Sequence, residues 1–71
     1  MEALPDFGLK IKLARIENHM KQIDLAKAIG KSAPLVSQWE SGKRTPDVVD
    51  IWKICWALNV AVSEIIPSPY P

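Results

Sequence analysis

Seventy-one residues make one domain at most, and a single core of that size leaves a thin margin of stability unless a staple or a second copy adds buried surface. The one cysteine, Cys55, excludes an intrachain disulfide and a cysteine-rich metal site, and the one histidine, His19, has no neighbouring ligands, so neither a metal nor a cofactor is expected. A formal net charge of +1 excludes a strongly basic surface over the whole molecule.

The distribution of that charge is less even than its sum. Residues 10–44 hold eight of the nine basic side chains and three acids, a local plus five, while the rest of the chain carries minus four. Such a segment suits a polyanionic partner, and equally an ordinary solvated face. No apolar run approaches the length of a bilayer span, and the start, MEALPDFG, lacks the basic residues and long apolar stretch of a secretory signal. A soluble, cytoplasmic chain with no membrane partner is expected.

Residues 1–6 contain Pro5 and little pattern, which predicts a loose arm ahead of a domain spanning 7–66. Phe7, Ile11, Ala14 and Asn18 mark one helical stripe, and Leu9, Leu13 and Ile16 a second, so the first helix has apolar surface for two neighbours. Met20, the last apolar residue before the next helix, is expected to tuck under it.

From Gln22 to Pro46 the chain reads QIDLAKAIGKSAPLVSQWESGKRTP. Leu25, Ala26 and Ile29 have the spacing of a one-sided helix, and Gly30 follows where a left-handed stop is wanted. Ser32 then caps a second short helix, with Pro34 harmless in its first turn and Gly42 at its end. Val36 and Trp39 share one face of that helix; Ala33, Pro34, Ser37 and Gln38 fall on or near the opposite one. Two short helices at a steep angle around a glycine turn are a helix-turn-helix, whose second member enters the DNA major groove. A helical hairpin in a small bundle with no nucleic-acid role has the same spacing.

Past Gly42, Thr45 is expected to cap a further helix opened by Pro46 and running to Leu58, with Val48, Ile51, Ile54, Cys55 and Leu58 as its buried stripe. Asn59 suits a left-handed stop, and Ser63 to Ile66 a final short turn closed by Pro67. The tail, 67–71, is too proline-rich to be regular. Trp52 and Trp56, one helical turn apart, fall outside the stripe, which points either to an interface or to packing against the first helix or the tail.

The residues LAKAIGKSAPLVSQWESGKRTP, preceded by Gln22 and followed by WALNVAVSEII, resemble the Cro/CI repressor family of transcription regulators over about positions 11–66. The resemblance rests on Leu25-Ala26, Gly30, Ser32, Val36-Ser37, Trp39-Glu40, Gly42 and Pro46 in register. It implies an all-α, five-helix, lambda-repressor-like domain that binds double-stranded operator DNA as a homodimer. By position it implies phosphate contacts from Gln22, Ser32, Lys43 and Arg44, and base contacts from Ala33, Pro34, Ser37 and Gln38. It further implies an ion pair of Arg15 with Glu40 and a dimer interface at Val60, Ala61 and Val62, which Trp52 and Trp56, from their place outside the stripe, are expected to join.

The chain departs from the family pattern at Ala33, Pro34 and Leu35, where long polar readers are usual. Contact with thymine methyls is one substitute; the other is a surface that reads sequence weakly or serves a protein. The expected function is therefore a sequence-specific DNA-binding transcriptional regulator, a repressor, with a protein-interaction module on the same scaffold as its rival. No nucleophile with an evident base and no glycine-rich phosphate loop is visible, so no enzyme is expected.

Overall fold

The computed structural model describes residues 7–65. The expected arm at 1–6, Ile66 and the tail at 67–71 lie outside the described residues. Five helices follow one another: α1 (Phe7–Glu17), α2 (Gln22–Ile29), α3 (Ala33–Ser41), α4 (Val48–Leu58) and α5 (Val62–Ile65). No strand occurs among the described residues. The five-helix, all-α expectation holds.

Four of the helices stop in the same way, α1 with His19 at φ 57° and the Met20 N–H on the Arg15 carbonyl at 3.1 Å. Gly30 (φ 73°) ends α2 and lets the Lys31 N–H reach back to the Ala26 carbonyl at 2.8 Å. The same six-to-one bond closes α3, from Lys43 N–H to Gln38 O at 2.9 Å, and α4, from Val60 N–H to Cys55 O at 3.0 Å with Asn59 at φ 56°. Each left-handed residue satisfies a carbonyl the helix would otherwise leave open. The α2–α3 turn is short because α2 stops at once and Ser32, with Oγ accepting from the Leu35 N–H at 3.4 Å, starts α3 two residues later.

The start of α4 differs from the sequence reading. Asp47, not Thr45, is the cap: its Oδ1 accepts from the Asp50 N–H at 2.8 Å. Pro46 is buried ahead of the helix instead of opening it. Val48 consequently becomes the first residue of α4 and is 71% exposed, so it drops out of the expected buried stripe. Ile54, Cys55 and Leu58 are buried as expected, and Ile51 is half-buried against them.

The core joins Phe7, Ile11 and Ala14 of α1 to Leu25, Ala26 and Ile29 of α2, Val36 and Trp39 of α3, and Ile54, Cys55, Leu58 and Ile65. Met20 packs on its edge. Each fully buried large side chain contributes about 1.5–3 kcal/mol, against about 1 kcal/mol for a helix cap, so this core rather than the caps holds α2 and α3 at their angle. Asn18 is not part of the apolar stripe. It lies just past α1, exposed, and its Nδ2 donates to the carbonyls of Ala14 and Leu58, at 2.8 and 3.0 Å.

Candidate nucleic-acid interface

α3 has two sides. Val36 and Trp39 are 0% and 2% exposed and face the core, while Pro34 and Ser37 are exposed and Ala33 and Gln38 half-buried. Leu35 leans off the presented side, packing against the core edge. Beyond the helix, Lys43 and Arg44 are exposed and are fixed in place by their backbone N–H groups, which both donate to Gln38 O.

Behind α3 a polar network sets its position. The Arg15 guanidinium donates from Nε to Glu40 Oε2 at 2.6 Å and from Nη2 to Glu40 Oε1 at 3.0 Å, and its Nη1 donates to the Met20 carbonyl at 2.8 Å. The side chains of Arg15 and Glu40 keep only 10% and 4% of their surface. The hydrogen bond to Glu40 raises the Arg15 pKa above its ordinary value against the opposing effect of burial. At that burial, removal of one partner strands a charge away from water, an effect several times larger than that of a surface pair.

Gln22 belongs to this network. Its Nε2 donates to Glu40 Oε1 at 3.1 Å, so the side chain is turned inward on the ion pair. No local pattern foretells that contact, which joins residues eighteen positions apart. At the same helix end Lys21 offers no capping acceptor, and its backbone N–H donates to Asp24 Oδ2 at 2.8 Å. The first intrahelical bond is Leu25 N–H to Lys21 O, which leaves the earlier N–H groups of α2, that of Gln22 included, without an intrahelical acceptor.

The charge division seen along the sequence is not a division in space. Asp50 of α4 meets Lys31 at 3.4 Å, and Asp47 and Asp50 share with Arg44, Thr45, Leu35 and Trp39 the lining of a groove of about 230 Å³. Two acids counted outside the basic segment are thus folded against it.

The expected interface residues fall into two groups. Trp52 and Trp56 are 69% and 78% exposed, and with Val48 and Val49 they make an apolar stripe on the outer side of α4. Ala61 and Val62 are exposed as well, whereas Val60 is half-buried against the core. The valines at 48 and 49 are not part of the interface that the sequence reading proposes. Among the described residues no three His, Cys, Asp or Glu side chains stand close enough to hold a metal, and no helix is long and apolar enough to cross a membrane.

Two short helices packed around a tight turn, the second with a buried and a presented side, define a helix-turn-helix domain. The sequence profile of the family described as Helix-turn-helix matches residues 11–65, and the chain belongs to that family. The match covers the segment on which the Cro/CI resemblance rests. The chain is 36% identical over 58 residues to the ImmF control region 10 kDa protein of Bacillus phage phi105, a match covering 82% of this chain and 64% of that protein. It therefore spans a little less than two thirds of that relative's length.

Solved structures agree on the fold. The restriction-modification controller protein C.AhdI of Aeromonas hydrophila superposes with a TM-score of 0.82 at 28% identity, over 86% of this chain and 88% of that one. The P22 c2 repressor, crystallised with a synthetic operator, superposes with a TM-score of 0.81 at 24% identity, over 86% and 92%.

Proposed function

We propose that the chain is a transcriptional regulator that binds operator DNA as a homodimer in the cytoplasm, with α3 in the major groove and no chemistry of its own. The observation that supports this most is the presented side of α3, open to solvent opposite Val36 and Trp39 and followed by the exposed cations Lys43 and Arg44. Likeness to a phage control-region protein and to a restriction-modification controller points the same way.

In this reading Lys43, Arg44, the Ser32 hydroxyl and the open N–H of Gln22 meet phosphates, which fix register without reading sequence. Ala33, Pro34, Ser37 and Gln38 face base edges. Gln38 is the main reader, since its amide can donate to and accept from one adenine. Arg15, Glu40 and the Gln22 side chain act as positioning residues that aim α3. Trp52 and Trp56, with Ala61, Val62 and the exposed edge of Val60, cover one another in the dimer and set two copies of α3 about one helical turn of DNA apart.

Selection of bound sequences from random duplex DNA at two salt concentrations tests the proposal. A recovered palindrome whose enrichment falls as salt rises supports it. The rival, a protein-interaction module, is favoured by the acids beside Arg44 and Lys31, and it gives no enriched sequence at either salt.

A further inference from the structure

The first turn of α3 presents almost no hydrogen-bonding capacity. Ala33 offers a methyl group and Pro34 a ring without an N–H, while the neighbouring Ser32 Oγ accepts from the Leu35 N–H and keeps its O–H for a phosphate, not a base. Polar side chains begin one turn later, with Ser37 and Gln38. The Gln38 side-chain amide makes no hydrogen bond to any described residue; its backbone carbonyl is engaged, by Ser41, Gly42, Lys43 and Arg44. The presented side therefore has an apolar front and one free amide behind it.

Among base edges in the major groove the apolar feature is the thymine 5-methyl group, and the edge that both donates to and accepts from a carboxamide is adenine's. Pro34 and Gln38 are four residues apart, about 6 Å along a helix axis. Bases on one strand are spaced by about 3.4 Å, so the two side chains address positions no more than about two base pairs apart.

Resting on the reading of α3 as the groove helix, we propose that Ala33 and Pro34 select thymine by burying its 5-methyl group, within two base pairs of the adenine bound by Gln38. Specificity at that position then depends on a methyl contact and not on a hydrogen bond. A base lacking the methyl but keeping every hydrogen-bonding group, deoxyuridine, loses the contact.

The experiment takes a duplex recovered by selection and replaces each thymine in turn with deoxyuridine. Wild-type chain and an Ala33→Gly/Pro34→Ala variant, checked by circular dichroism, are titrated onto each duplex. Wild type is expected to lose about 4-fold in affinity at one or two thymines near the adenine, the factor equivalent to one buried methyl at about 0.8 kcal/mol. At those thymines the variant is expected to change by less than about 2-fold, because the contact is already gone. Tolerance of deoxyuridine at every position, or an equal loss in both proteins, overturns the methyl reading and leaves α3 as the groove helix. Failure of the wild-type chain to bind any duplex in a salt-sensitive way removes the groove reading itself, and the methyl reading with it.

Discussion

The Arg15 guanidinium grips the Glu40 carboxylate with two nitrogens, at 2.6 and 3.0 Å, and so ties α1 to the end of the helix that presents Gln38. Gln22 supplies a third donor to the same carboxylate. Arg15→Met leaves that carboxylate buried with the Gln22 amide alone, at an expected loss of about 3–5 kcal/mol in urea unfolding, most of what a domain this small has. Replacing both Arg15 and Glu40 with apolar residues should cost less than either single change to an apolar residue. The raised pKa of Arg15 makes its contribution full at any pH below the ordinary arginine value, to be lost only as pH rises through the folded value.

Gly8 sits in α1 where that helix crosses the end of α3, and two effects on it have opposite signs. By helix propensity alone Gly8→Ala should stabilise by roughly 0.5–1 kcal/mol. A methyl group there would, however, press on the backbone carbonyls of Glu40 and Trp39, standing 2.6 Å from the Trp39 oxygen. Backbone cannot swing aside as a side chain can, and overpacking costs about 1–3 kcal/mol. The close approach wins: Gly8→Ala is expected to lower the urea midpoint, and a raised midpoint would show that α1 does not lie this close to α3.

On the outer side of α4, Trp52 and Trp56 remain 69% and 78% exposed in a single chain. If a second copy covers them, Trp52→Glu or Trp56→Glu should weaken self-association by about 2 kcal/mol or more, the size of effect typical of a central aromatic anchor. Sedimentation velocity over a concentration series reads this directly. Unaltered profiles for both variants would move the dimer contact elsewhere.

Burial in the core, and secondarily the Glu64 carboxylate, pushes the Cys55 thiol above its ordinary pKa. A raised folded value means that the thiol's contribution to stability is fully present below the unfolded pKa, about 8.5, and is lost as pH rises through the folded one. Cys55→Ala should therefore cost less at pH 10 than at pH 7 in paired unfolding curves. A cost that does not change with pH would place the thiol in contact with water.

The elements legible in the sequence were those whose cause is local. Gly30, Ser32, Gly42 and Asn59 act within one turn of themselves, and all four stand where the pattern put them. The start of α4 differs because Thr45-Pro46 and Asp47 are both sound openings, and the bond from the Asp50 N–H to Asp47 Oδ1, with Pro46 buried ahead of it, decides between them. Val48, expected in the core stripe, lies exposed in the first turn of α4. Gln22 turning onto Glu40, Gly8 lying under α3, and Asp47 and Asp50 folding back toward Arg44 and Lys31 were not legible, since each depends on how separate helices meet. The acids matter most for function, because they lower the positive potential that the sequence alone assigns to the motif.

Under the proposed function the exposed side of α3, with Lys43 and Arg44 behind it, meets a duplex. The direct measurement is the affinity for a selected duplex as a function of salt, for wild type and for Lys43→Gln/Arg44→Gln. Each phosphate neutralised contributes about 0.9 to the slope of log affinity against log salt, so the double variant should lower a steep wild-type slope by about 2. A wild-type affinity indifferent to salt, or a slope the double variant leaves unchanged, would contradict that function.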